Sequence, residues 1–285
     1  MLAASAKDRH INNSRLSLRE RTFFRRAKDD NLTVINVPAR VVFQLTGIGR
    51  VIMMKLSNVV SKIRQKGLGN CLRYLVLQTN DRWQEWRLGI RTSEMIHWRE
   101  LGLGEASESY EAIDYGTFAR VLRRIKIRPD DVFLDYGCGM GRVVVLAARK
   151  RFRRVMGVEL SPRLCSIAEK NLQIAQHGFR CGSAHIIHMD AGAFVVPGDV
   201  SVVFLFSPFF GEVMRKVTAR IRESLAAEPR DITIIHVIPD NVASAFHECN
   251  WLSKTAEFRV GAWNQLTCFM FQNVNRGSIQ PPHAP

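Results

Sequence analysis

No acidic residue occurs between Asp30 and Asp81, although Arg40, Arg50, Lys55, Lys62, Arg64, Lys66 and Arg73 all fall there. The charge is therefore lopsided. Residues 1–100 carry 19 Lys and Arg against 8 Asp and Glu, and the rest of the chain carries 22 against 18, within a formal total of +15. Long apolar runs are also missing: no window reaches the ~18–20 uncharged apolar residues that a membrane-spanning helix needs. The opening MLAASAKDRH lacks the apolar core of a secretory signal, and Asp8 and Glu20 interrupt the Arg- and Ser-rich start that a mitochondrial transit peptide would require. Among six cysteines there is no C-x-x-C pair and no zinc-type spacing to histidine. No metal site is expected, and the thiols are expected to be reduced and mostly buried. With 46% apolar and 24% charged residues over 285 positions, the chain has the composition of a globular protein with a sizeable core. The expectation is a soluble, cytoplasmic protein, with peripheral docking at a membrane left open by its basic end.

Within the acid-free stretch, Val41, Val42, Leu45, Ile48, Ile52, Leu56, Val59, Val60 and Ile63 recur at steps of three and four, the period of an amphipathic helix. Gly47 and Gly49 weaken that pattern, since each costs about 1 kcal/mol in a helix interior. A basic amphipathic stretch suits an anionic membrane surface or an acidic macromolecule, here through residues 31–80. It equally suits a helix packed by its apolar face on the main domain. No aromatic residue is interleaved with the cations between Gln44 and Arg73, which argues against a surface for stacking single-stranded bases. The segmentation expected is a basic, mainly helical extension over 1–105, a catalytic domain over 106–275, and a short Pro-containing tail over 276–285. Gly102-Leu103-Gly104 is the breaker that sets the first boundary.

From Asp131 onward, short apolar strand-like runs (132–135, 155–159, 185–190, 200–206, 232–238) alternate with helical stretches at 141–151, 162–177 and 210–227. A short helical piece near 241–249 and two final strands, 255–260 and 265–272, complete the pattern. Strands alternating with helices predict an α/β fold, a doubly wound and mostly parallel sheet, because parallel strands need crossover helices. The terminal pair, joined by a hairpin-sized connection, adds an antiparallel edge.

The first strand runs into Asp135, then Gly137, Cys138, Gly139, Met140 and Gly141, and then a helix. Glycine is required where φ is positive or where the backbone must approach a ligand closely. A dinucleotide fingerprint starting at Gly137 would need glycine at position 142, and Arg142 stands there. That counts against a nicotinamide-dependent oxidoreductase, one rival reading. The second strand ends in Glu159, placed to accept hydrogen bonds from both hydroxyls of a ribose, and the third ends in Met189-Asp190-Ala191, where an adenine amino group can donate.

These residues together resemble the class I S-adenosylmethionine-dependent methyltransferases, over about residues 110–272. The resemblance implies a Rossmann-like sheet of seven strands with an antiparallel last strand, and S-adenosyl-L-methionine as cofactor. It implies that Asp135, Gly137, Cys138, Gly139 and Gly141 line the methionine and ribose portion. Glu159 would hold the ribose, with Leu160 beside the adenine and Asp190-Ala191 at its amino group. The D-Y-G-C-G-M-G-R turn and the G-V-E-L-S-P run are similar to a group of bacterial methyltransferases, and more locally to the non-SET protein lysine methyltransferases.

The fourth strand ends in Ser207-Pro208-Phe209-Phe210. In amino-group methyltransferases this site often reads Asn/Asp/Ser-Pro-Pro-aromatic, so the resemblance implies that Ser207, Pro208 and Phe209 orient an acceptor nitrogen. Here Phe209 replaces the second proline, and a strand simply ending at a proline turn is the alternative. Methyl transfer needs positioning and a dry site, with a dedicated base optional. Tyr110, Tyr115 and Phe209 are the aromatic candidates to face a sulfonium cation. His188 and His236, inside apolar strand runs, read as buried and hydrogen-bonded rather than as bases. The expected function is methylation of an unknown acceptor, an amino nitrogen of a protein or small molecule. A non-catalytic module using the basic end on membrane or nucleic acid is the alternative from another class.

Overall fold

A computed structural model describes residues 67–94, 96, 110–207, 209–261 and 265–274. The amphipathic pattern over 41–63 and most of the acid-free stretch lie outside them. So do Pro208, the Gly102-Leu103-Gly104 breaker and the tail from 275. In chain order the elements are α1 (Leu68–Leu88), α2 (Tyr115–Leu122), β1 (Val132–Tyr136), α3 (Arg142–Ala148), β2 (Arg154–Glu159), α4 (Pro162–Ala175), β3 (Ser183–His188), β4 (Val202–Phe206), α5 (Gly211–Ala227), β5 (Thr233–Pro239), β6 (Leu252–Val260) and β7 (Leu266–Asn273).

The seven strands form one sheet in the order β3-β2-β1-β4-β5-β7-β6. β1–β5 are parallel to one another, and β7 is antiparallel to both β5 and β6. All five residues of β1 are buried, as expected of a central parallel strand covered on both faces. Its side chains alternate between two cores. Phe133 packs with Phe118 of α2, Val144 of α3, Phe152 and Phe204 on one face. Leu134 and Tyr136 pack with Met214, Val217 and Ile221 of α5 and with Phe246 on the other.

Local sequence sets the helix ends. Ser161 caps α4 by accepting from the Leu164 N–H at 3.4 Å, with Pro162 in the first turn. Asp114 caps α2 by accepting from the Thr117 N–H at 2.7 Å. The helix after the glycine turn stops at Ala148, short of the expected residue 151, because the Ala148 carbonyl accepts the N–H groups of Arg180 and Cys181. Strand β3 begins at Ser183 rather than at residue 185. It forms the edge of the sheet, which leaves His188 exposed instead of buried. His236 is buried as expected, with Nδ1 2.8 Å from the Ser244 hydroxyl. All six cysteines are free, three of them buried and three half-buried.

Helix α1 is held on the domain through Arg142, the first residue of α3, which is itself buried. Its guanidinium donates to Asp81 (2.9 Å), Glu85 (3.3 Å), the Ile113 carbonyl (2.9 Å) and the hydroxyls of Thr92 (2.7 Å) and Ser93 (2.6 Å). The Tyr115 ring lies 4.5 Å beneath it. Asp81 also accepts the Tyr115 N–H at 3.0 Å, and Glu85 accepts both the Thr92 N–H and its hydroxyl. Removing one member of such a buried, fully bonded cluster leaves uncompensated charge and costs about 3–5 kcal/mol.

Candidate active site

The turn between β1 and α3 folds back on β2: the N–H groups of Gly137 and Cys138 donate to the Val158 carbonyl at 2.9 and 3.1 Å. Gly139 has φ 55° and Gly141, the residue capping α3, has φ 80°. Both conformations are costly for any residue with a Cβ. Space forbids one as well, since a Cβ on Gly139 would overlap the Tyr110 ring. Opposite the turn, β2 carries Gly157, and a Cβ there would lie 2.7 Å from Cys138 and Val144. The absent side chain is what lets the turn sit on the sheet.

Two buried carboxylates face this turn. Glu159, at the end of β2, accepts from the Gly139 N–H with Oε2 and from the Ser161 N–H with Oε1, each at 2.9 Å. Burial raises its pKa, and backbone N–H groups of Ser161, Gly139 and Leu160 pull it back. Asp135, paired in register with Gly157 of β2 and Phe204 of β4, is 2% exposed. Its Oδ2 is buried without a hydrogen-bond partner among the described residues. Burial, reinforced by the charge of Glu159, pushes the Asp135 carboxyl well above the ordinary range. Burial likewise pushes the Cys138 thiol up, so it is a neutral packing group and not a thiolate.

Around this centre the other expected residues are distributed unequally. Leu160 is exposed, and its carbonyl lies 3.0 Å from Nε2 of His188, linking the tips of β2 and β3. Asp190 is exposed and accepts the Gly192 N–H at 2.7 Å, with Ala191 half-buried beside it. Tyr115 is buried under Arg142, and the ring at the glycine turn is instead that of Tyr110, whose hydroxyl donates to the Thr92 carbonyl at 2.8 Å. At the end of β4, Ser207 has φ 39°, a strained value outside glycine. Its N–H and Oγ both donate to the Val237 carbonyl, at 3.1 and 3.3 Å. Phe209 is buried, its ring 6.3 Å from that of Tyr136, whereas Phe210 is exposed.

The arrangement fits S-adenosylmethionine. The unpartnered Asp135 oxygen is an acceptor for a cationic amino group. Each Glu159 oxygen, although engaged once, retains a lone pair for a ribose hydroxyl. Among the described residues no cluster of His, Cys, Asp and Glu is arranged to hold a metal ion.

A family model matches the segment that builds this site. The family described as histone methylation protein DOT1 matches residues 104–203, from ahead of Tyr110 to the start of β4. Similar solved structures include an RNA methyltransferase from Salinibacter ruber in complex with S-adenosyl-L-homocysteine, 20% identical over 61% of this chain and 96% of that one, with a TM-score of 0.44. A TehB-like S-adenosylmethionine-dependent methyltransferase from Corynebacterium glutamicum is 15% identical over 69% and 98%, with a TM-score of 0.42. One from Aquifex aeolicus is 10% identical over 55% and 89%, with a TM-score of 0.42. Glycine turns followed by strand-end acids serve several nucleotide-binding folds. A sheet that closes with an antiparallel β7 inserted between β5 and β6 is a narrower property: it is the fold of the class I S-adenosylmethionine-dependent methyltransferases, and the family match spans the same turn.

Proposed function

We propose that the enzyme methylates an amino nitrogen, and that a protein lysine is the acceptor the observations favour over a small-molecule amine. S-adenosylmethionine supplies an electrophilic methyl group on a sulfonium. In this reading Asp135 binds the cationic amino group of the donor and Glu159 its ribose hydroxyls, with Asp190 and Leu160 at the adenine. Gly139 gives the backbone its close approach, and Tyr110 closes over the turn. Ser207 and Pro208 present oxygen acceptors to the incoming nitrogen, and Phe210 offers the accessible ring at that rim.

The observation that carries this reading is the strained Ser207 at the end of β4, the strand beside Asp135. A positive φ outside glycine persists only where its surroundings impose it, and such strain concentrates at functional sites. The preference for a protein lysine rests on the match to a family described by histone methylation, which is said of that family. A base is not required of this chain, because a lysine amine has only to lose a proton to solvent before attack.

The test is transfer of radiolabelled methyl from S-adenosylmethionine to a panel of lysine-bearing proteins, free amines and RNA, followed by hydrolysis and identification of the methylated product. Methyl-lysine as the product supports the proposal. Label found only on RNA or on small amines overturns the choice of acceptor while leaving the methyltransferase family intact.

A further inference from the structure

Helix α1 is amphipathic in the reverse sense. A surface helix ordinarily turns its apolar stripe to the core, but α1 turns Asp81, Glu85 and Leu88 inward and leaves Leu72, Leu75, Val76, Trp83 and Trp86 exposed. Trp86 is 79% exposed, Val76 64% and Trp83 51%. At 100° per residue these five positions fall within an arc of about 100°, one continuous stripe along the helix. Arg82 and Arg87 flank it on either side. The inward face is already committed to the Arg142 cluster, so the helix cannot roll over to bury its apolar side.

Beside the stripe lies a cavity of about 360 Å³ lined by Arg87, Arg123, Arg149 and Lys150 over an apolar floor that includes Leu122 and Ile127. No carboxylate lines it, and among the described residues none of the four cations forms an ion pair. Arg87 belongs to both features: it lines the cavity and lies 5.0 Å from the Trp83 ring. An apolar stripe with tryptophans, bordered by cations and continuous with a cation-lined cavity, matches the layered chemistry of a lipid surface.

We propose that α1 docks the enzyme on an anionic lipid bilayer. The stripe enters the boundary between headgroups and acyl chains, and Arg87, Arg123, Arg149 and Lys150 take lipid phosphates. Charge selects this occupant. A second copy would bring Arg82 and Arg87 against their own kind, and residues 31–66 of the same chain contain no carboxylate to meet them. A nucleic acid would meet the cations but leave Leu75, Val76 and Trp86 in water. The proposal is independent of the acceptor assigned above.

The experiment is flotation of the full-length enzyme with phosphatidylglycerol-rich and with pure phosphatidylcholine vesicles, together with tryptophan emission and S-adenosylmethionine affinity as a check of folding. Flotation with the anionic vesicles and a blue-shifted emission are expected. Combined Trp83→Ser and Trp86→Ser should reduce partitioning at least ten-fold at unchanged cofactor affinity, and Arg123→Gln or Lys150→Gln about five-fold each. The proposal is overturned by absence of flotation, by equal partitioning onto phosphatidylcholine, or by binding indifferent to the tryptophan pair. A concentration-dependent dimer abolished by Trp86→Ser, without vesicle binding, would also overturn it and assign the stripe to a second copy.

Discussion

The two rims of the sheet are built differently. At the β1–β2 rim, the N–H groups of Gly137 and Cys138 donate to the Val158 carbonyl and that of Gly139 to the Glu159 carboxylate, and both carboxylates are buried. At the β4 rim, among the described residues, Ser207 makes two bonds to one carbonyl of β5, in a strained conformation, and Phe210 lies open to solvent. In the proposed reading the first rim recognises a cofactor of fixed shape, so rigid backbone contacts and desolvated acids suit it. In the same reading the second meets the acceptor, and there the backbone is held in a strained conformation by its surroundings. Substitutions at the first rim should therefore act on cofactor affinity, and those at the second on turnover.

The sharpest test of that division is Gly139→Val. A β-branched residue at φ 55°, with its Cβ inside the Tyr110 ring, distorts the turn or displaces the tyrosine. Calorimetric binding of S-adenosylmethionine is expected to be lost. Gly139→Ala should be milder and should recover part of its affinity when combined with Tyr110→Ala; failure to recover would mean that backbone strain, and not the ring, is the obstacle. Arg142→Met tests the cluster that holds α1 behind the glycine turn. Loss of the buried cation strands Asp81 and Glu85, so destabilisation by about 3–5 kcal/mol is expected. For a domain of this size that is a fall of about 10 °C in Tm, with hydrogen-exchange protection of α1 lost first.

Asp135→Asn separates binding from stability. Because the folded protein raises the Asp135 pKa, it holds that proton more tightly than the unfolded chain does. The stabilising contribution of this group is therefore complete below the unfolded carboxylate range and lost as pH rises through the raised folded value. At neutral pH the carboxylate is a net cost to the apoprotein. The asparagine variant should then melt a few degrees higher than the wild type near neutrality, and the advantage should shrink on acidification. Its affinity for S-adenosylmethionine should fall about 10- to 100-fold, the value of one charge-assisted hydrogen bond. Wild-type affinity should weaken as pH falls, and the variant's should not.

Much of the candidate cofactor rim, as a grouping of residues, was legible in the sequence because its chemistry is local. An apolar strand, a glycine turn and a helix start must be contiguous, and acids at strand ends are counted along the chain, so Asp135, Gly139 and Glu159 were found together. Contacts across long sequence separations were not legible. Arg142 reads as a substitution in a glycine fingerprint, and its partners Asp81 and Glu85 stand 61 and 57 residues upstream. Among the aromatic candidates weighed, Tyr110 meets the turn and Tyr115 lies under Arg142, a distinction that five residues of spacing do not contain. Alternation along β4 stops being informative at Ser207, where the left-handed backbone redirects the chain and leaves Phe209 in the core and Phe210 outside.

Ser207→Gly carries the smallest expected change in stability and the most specific change in function. Glycine accepts φ 39° without strain, which returns about 1 kcal/mol, and loss of the long Oγ bond to Val237 costs a similar amount. Tm should stay within about 2–4 °C of the wild type, and cofactor affinity should not move, since Ser207 touches neither Asp135 nor Glu159 among the bonds that build the first rim. If the hydroxyl orients the acceptor nitrogen, kcat should fall at least ten-fold, and Ser207→Thr, which retains an oxygen, should recover part of it. If kcat is unchanged, the hydroxyl only closes the strand, and orientation of the acceptor at this rim belongs to backbone carbonyls and the Phe210 ring.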